Sequence, residues 1–158
     1  MHVVYSDPAP NGSMPMISPA VFLAGTTPRS PDVKSWRPEA INHFDSLRFE
    51  SSIIVPEPFG GVWRNPDDQV DWEQYYLERS KVILFWIPRN MATLPGLTTN
   101  IEFGIYMMSG KLVVGIPNDA ENVGYIKYCC RKFGIPLFDN LGATCRLAAE
   151  QALQHYEP

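Results

Sequence analysis

Short apolar runs alternate along the chain with amphipathic stretches, and this alternation predicts the architecture. Ala20-Val21-Phe22-Leu23-Ala24 is a continuous apolar run closed by Gly25, the pattern of a strand buried on both faces and followed by a sharp turn. From Trp36 to about Glu50 the apolar residues Trp36, Ala40, Phe44 and Leu47 recur at helical spacing, with Pro38 tolerated in the first turn. Ser52-Ile53-Ile54-Val55 predicts a β-branched strand, ended by Pro56 and a long aromatic loop that carries Phe59 and Trp63. Asp67 and Asp68 are candidate N-caps for a helix reaching Arg79, and Val82 to Ile87 is the most apolar run of all, the expected central strand.

Beyond a loop from Pro88 to Thr98, the pattern predicts a helix over about Asn100 to Ser109, with Gly110 at its C-cap, and a strand from Lys111 to Ile116. A helix near Asn122 to Lys132, a short strand at Ile135 to Phe138 and a helix from about Ala143 to His155 complete five βα units. Strict alternation with continuous apolar strands predicts an α/β fold, a flavodoxin-like doubly wound sandwich: a five-stranded parallel sheet with helices on both faces. Residues 1–19, rich in proline, are expected to be a flexible arm, and residues 20–158 a single domain. Such sheets bind ligands at the carboxyl ends of their strands, so the loops after Ala24, Val55 and Ile87 are the expected site walls.

Composition narrows the function. The 158 residues are 45% hydrophobic and 19% charged, with net charge −4 and no run of Lys or Arg, which argues against nucleic-acid and anionic-membrane partners. No apolar stretch reaches the length needed to span a bilayer. Cys129, Cys130 and Cys145 are odd in number, two are adjacent and no C-x-x-C occurs, the usage of reduced thiols in a cytoplasmic protein. His2, His43 and His155 lie far apart with no metal-ligand spacing. No cofactor motif is present, and Pro28 and Pro31 remove backbone N–H donors from the first loop that a flavin phosphate would use, so no cofactor is expected.

The candidate chemistry centres on Glu102, in Pro95-Gly96-Leu97-Thr98-Thr99-Asn100-Ile101-Glu102-Phe103-Gly104. Two readings stand side by side. In the first turn of a helix beside the central strand, the carboxylate would be held ionised by the helix dipole, as a nucleophile requires. Thr99-Asn100-Ile101-Glu102 equally spells a capping box, in which Glu102 only satisfies the N–H of Thr99.

Phe22-Leu23-Ala24-Gly25, Ser35-Trp36-Arg37, Asp71-Trp72-Glu73, Leu84-Phe85-Trp86-Ile87-Pro88 and Thr98-Thr99-Asn100-Ile101-Glu102-Phe103-Gly104, followed by Gly110-Lys111 and Gly115-Ile116-Pro117, resemble the nucleoside 2-deoxyribosyltransferase superfamily in content and order. The resemblance implies that Glu102 attacks C1′ of a nucleoside and that a second nucleobase resolves the glycosyl-enzyme with retention; in hydrolase members, water does so. The substrates implied are a nucleoside and a free nucleobase. A leaving base needs a proton, so a second acid should face Glu102. Glu73 falls about where the family places a catalytic Asp, with Asp71 the alternative in another register.

Candidate substrate contacts are Gly25, Thr26 and Arg29 in the first loop, Trp63 as a stacking surface, and Thr98 and Asn100 beside the nucleophile. Arg29 and Arg37 suit a sugar hydroxyl, a base carbonyl or a 5′-phosphate, or in the case of Arg37 a surface salt bridge. In several family members an Asn from a neighbouring subunit reaches the 5′-hydroxyl; Asn122 is the nearest match, also reads as a helix N-cap, and with the loop aromatics implies a homo-oligomer. The chain departs from the family pattern at Val21 and Phe22, where a Tyr is frequent, and at Gly96, where an acidic residue stands. An N-glycosidase using the same nucleophile and a non-catalytic nucleotide-binding module are the alternative functions.

Overall fold

The computed structural model describes residues 1–7, 18–60 and 65–154. Its strands are β1 (His2–Tyr5), β2 (Ala20–Gly25), β3 (Ser52–Val55), β4 (Val82–Trp86), β5 (Leu112–Gly115) and β6 (Leu137–Phe138). The helices are α1 (Arg37–Ser46), α2 (Pro66–Arg79), α3 (Leu97–Tyr106), α4 (Gly124–Phe133) and α5 (Leu141–Leu153). All strands are parallel, in the order β1-β3-β2-β4-β5-β6. Without β1 this is the 2-1-3-4-5 order of a doubly wound sheet, whose direction of winding reverses between β2 and β4.

The sheet therefore has six strands rather than the expected five. The additional one comes from the segment assigned to a flexible arm: His2 to Tyr5 pair in register with Ser52 to Val55 of β3. Four half-exposed residues ahead of several prolines carry too little periodicity to announce a strand. Its partner supplies the reason it forms, because an unpaired β3 edge would leave backbone groups unsatisfied.

Alternate side chains of each strand enter opposite cores, as the period of two requires. Ala20, Phe22, Ala24, Ile83, Phe85 and Ile87 pack toward Trp72 and Tyr76 of α2, Phe103 of α3 and Ile126 and Cys129 of α4. Val21, Leu23, Val82, Leu84 and Trp86 face Ala40 and Phe44 of α1 and Leu141, Cys145 and Ala148 of α5. Trp86 is thus core, while Phe59 is exposed and rests against Tyr5 with ring centroids 5.0 Å apart. The three cysteines are free and buried on α4 and α5, and burial pushes the thiols of Cys130 and Cys145 up to about 11 and about 12. Among the described residues no helix is long and apolar enough to cross a membrane.

At the winding reversal β2 and β4 approach so closely that only glycine fits the end of β2. Gly25 is paired with Trp86, has φ +129°, and a Cβ there would stand 2.0 Å from the Trp86 carbonyl oxygen. Gly110 also has a positive φ, of +72°, but open space around it. Gly25→Ala is expected to cost more than about 3 kcal/mol in urea unfolding, against about 1–2 kcal/mol for Gly110→Ala, where backbone strain acts alone. Equal losses at the two positions would disprove steric closure at the reversal.

Candidate active site

Three elements bring charged groups to the carboxyl ends of β2 and β4. α1 begins with Arg37, whose guanidinium is buried beneath the end of β2. Its Nε donates to the Leu23 carbonyl at 3.0 Å, Nη2 to the Gly25 carbonyl at 3.4 Å, and Nη1 to Thr27 Oγ1 at 3.2 Å and to Glu57 Oε1. The surface salt bridge considered for Arg37 is therefore a pair between a buried guanidinium and a partly exposed carboxylate. Glu57, in the loop after β3, also accepts from Ser35 Oγ at 2.9 Å.

α2 contributes Glu73 and α3 contributes Glu102, and the two carboxyls are near enough to repel one another. Burial first, and then the negative charge of Glu73, push Glu102 up to about 7, against the attraction of Arg37. Burial likewise raises Glu73, offset by a hydrogen bond from Gln69 Nε2 at 3.1 Å and by Arg37. Asp71, two residues earlier on α2, is exposed, so the α2 carboxyl that interacts with Glu102 is Glu73.

Two expectations about Glu102 change. α3 starts at Leu97, three residues earlier than the pattern indicated, and its N-cap is Gly96 at φ 59°, with no side-chain cap. Thr99 lies inside the helix, so the capping box does not form. Glu102 consequently sits in the second turn, where the helix dipole has largely faded. The dipole was expected to hold the carboxyl ionised; burial and a like charge shift it the opposite way. Gly96 is needed because a Cβ would meet Thr26 Cγ2 at 2.6 Å, which explains why no acidic side chain stands there.

The other candidates fall into three groups. Gly25 and Thr26 are buried at the end of β2; Trp36 Nε1 donates to the Thr26 carbonyl at 2.9 Å, and Thr26 Oγ1 has no hydrogen-bond partner among the described residues. Arg29 is exposed and lines, with Thr27, Ser30, Ser35 and Glu57, a cleft of about 400 Å³. Thr98 and Asn100 are exposed on the first turns of α3, and Trp63 lies outside the described residues. Asn122 does not cap a helix: it has φ 52°, and Val123 precedes α4.

Arg89, which the sequence pattern did not single out, links several of these positions. It is buried at the end of β4, and donates from Nη1 to the Asn122 carbonyl at 3.0 Å and from Nη2 to Asn100 Oδ1 at 2.6 Å and the Gly96 carbonyl at 3.5 Å. Burial lowers its pKa, and its Nε has no partner among the described residues. The available signal was an arginine directly after the most apolar strand. Among the described residues no three His, Cys, Asp or Glu side chains are grouped to hold a metal ion.

A family model described as nucleoside 2-deoxyribosyltransferase-like matches residues 18–120. That span runs from β2 through β5 and includes Arg37, Glu57, Glu73, Arg89 and Glu102, and the chain belongs to this family. Among curated proteins none matches the chain.

The raised Glu102 carboxyl has a measurable consequence for stability. Between its ordinary 4.5 and about 7, the folded state holds a proton that the unfolded state has lost, so this contribution to stability falls as pH rises through that window. Glu102→Gln removes the cost of ionisation. It is expected to stabilise the fold by up to roughly 3 kcal/mol at pH 8 and much less at pH 5. Chemical denaturation at the two pH values checks this, and an equal effect at both would refute the raised carboxyl.

Proposed function

We propose that the protein is a nucleoside 2-deoxyribosyltransferase, exchanging the nucleobase of a (deoxy)nucleoside, with Glu102 as nucleophile and Glu73 as proton donor. The observation that carries this reading is the meeting of two half-buried carboxyls from different helices at the winding reversal of the sheet. Repulsion between them favours a state with one carboxyl protonated and one ionised; burial and the Glu73 charge favour the proton on Glu102, so the reaction starts from the alternative state in which Glu73 holds the proton and Glu102 is ionised.

The ionised Glu102 attacks C1′ as the C1′–N bond breaks, and the leaving base takes the Glu73 proton on a ring nitrogen. The result is a glycosyl ester on Glu102 and an ionised Glu73. A second base then attacks C1′ from the face the first one left and surrenders its N–H proton to Glu73, freeing Glu102. Two inversions give net retention. Gly25, Thr26, Thr98 and Asn100 are the proposed sugar and base contacts.

The reading includes self-association. Leu97, Ile101 and Ile105, at helical spacing on the helix that carries Glu102, and Met108 just past its C-cap are each more than half exposed. Tyr125 and Tyr128 are likewise exposed, on α4. A continuous apolar stripe suits a two-fold contact, in which one patch meets its own copy.

Incubation with a deoxynucleoside and a different free base should yield the exchanged nucleoside, and Glu102→Ala should lower the rate by at least about a thousandfold. Acid-quenched protein should carry a pentosyl adduct on the peptide containing Glu102. Release of base and sugar without exchange would assign a hydrolase instead, and no turnover of any nucleoside would end the catalytic reading. In sedimentation, the double substitution Ile101→Asp and Ile105→Asp should convert an oligomer to a monomer; a wild-type protein already monomeric at micromolar concentration would remove the self-association.

A further inference from the structure

Two polar side chains sit on the core-facing side of α2. One side of the helix runs Gln69, Trp72, Glu73 and Tyr76, at the i, i+3, i+4, i+7 spacing of an apolar stripe. Trp72 and Tyr76 are buried in the core, as that spacing requires, while Gln69 and Glu73 stand half-buried beside them. Val70, the apolar residue next to Gln69, is turned to solvent and 49% exposed. Polar groups on this side give up hydration that an apolar pair would not have to recover. The proposed chemistry gives Glu73 a reason to be there, and Gln69 still needs one.

Gln69 Nε2 donates to Glu73 Oε1 at 3.1 Å, the one hydrogen bond that the Glu73 carboxyl makes among the described residues. The i,i+4 spacing makes this contact a property of α2 itself, independent of how other elements pack on it. Helix support alone is a poor account of it, because the same pair on an exposed face gives that support without loss of hydration. A carboxylic acid can carry its proton on either oxygen. With an amide N–H on Oε1, that oxygen acts as the carbonyl acceptor, and the proton is carried on Oε2.

We propose that Gln69 is a positioning residue for Glu73: its amide holds Oε1 as the acceptor and so keeps the transferable proton on Oε2. The proposal rests on the catalytic reading above. As the C1′–N bond breaks, its electron pair goes to the base and the base nitrogen takes the Oε2 proton. The negative charge left on Glu73 is shared with the Gln69 N–H. The charged groups that act on Glu73 from other elements are Arg37 at the start of α1, which favours the ionised form, and Glu102 on α3. Burial favours the protonated form, and the Gln69 hydrogen bond opposes it. The amide therefore gives up some of the protonated population, and what it provides is direction.

Removing Gln69 should thus have two opposite effects, a Glu73 that binds its proton more tightly and delivers it more slowly. The test compares Gln69→Leu with the wild type on a purine deoxynucleoside and on its N7-methyl derivative, whose cationic base departs without taking a proton. Leucine suits both the helix and the stripe, so the variant should unfold at or above the wild-type temperature. Its turnover of the unmethylated nucleoside should fall at least about tenfold, with the methylated donor within about twofold of wild type or faster. Carboxyl-carbon NMR titration of glutamate-labelled protein, with the Glu73 signal identified by its loss in Glu73→Gln, should show the midpoint raised by about half a pH unit. Should Gln69→Leu fail to fold, Gln69→Ala is read in the same way. An equal fall on both donors makes Gln69 a structural residue and overturns the proposal. An unmoved Glu73 midpoint overturns it too, as does a nucleoside rate that holds or rises while the midpoint climbs. A wild type active on the unmethylated donor alone leaves the decision to the nucleoside rate and the titration. One inactive on both donors ends the catalytic reading, and this role with it, whatever the titration shows.

Discussion

The carboxyl end of the sheet is organised around a cation that has no access to water. Arg37 ties together the last carbonyls of β2, the loop that follows and the loop after β3, and its charge favours the ionised form of both carboxyls of the site. Losing one member of a buried pair costs about 3–5 kcal/mol, whereas replacing the whole pair by apolar side chains is often neutral. An ion pair in such a place is therefore better understood through the electrostatic field it sets than through the stability it adds. Here the field lowers the proton affinity of both Glu73 and Glu102, while burial raises both and the Glu73 charge raises Glu102 further.

Competition between burial and the helix dipole settles the state of Glu102. Near a helix N-terminus the dipole contributes about 0.3–1 kcal/mol and fades within the first turn. Burial acts wherever solvent is excluded, and a carboxyl raised to about 7 represents several times that energy. The three-residue displacement of the helix start, with Gly96 turning left-handed to enter it, takes Glu102 out of the dipole's reach. It also brings the first turn of α3 against Thr26, which holds the helix to β2.

Two cross-braces carry the crevice walls. Arg89 joins the loops after β4 and β5 to the start of α3, and β1 holds the loop after β3 through Ser6 and Asp7. Both act mainly through backbone groups distant in sequence. The family match covers residues 18–120, which include both carboxyls and Arg89, whereas β1 lies outside that span.

The sequence by itself determined the order and type of the elements from β2 to α5, because continuous apolar runs and helical periodicity report burial one element at a time. It also singled out Glu102 as the candidate nucleophile, and through the family resemblance Glu73 or Asp71 as its acidic partner, without choosing between those two. Tertiary structure decided what those motifs could not carry. The β1 strand exists because β3 offers it an edge, Arg37 is buried because β2 and Glu57 enclose it, and Arg89 matters through carbonyls up to 33 residues away. The proton affinity of Glu102 belongs to the same class: the sequence places a carboxyl near a helix start, but desolvation and the approach of Glu73 arise only when separate helices pack over the sheet.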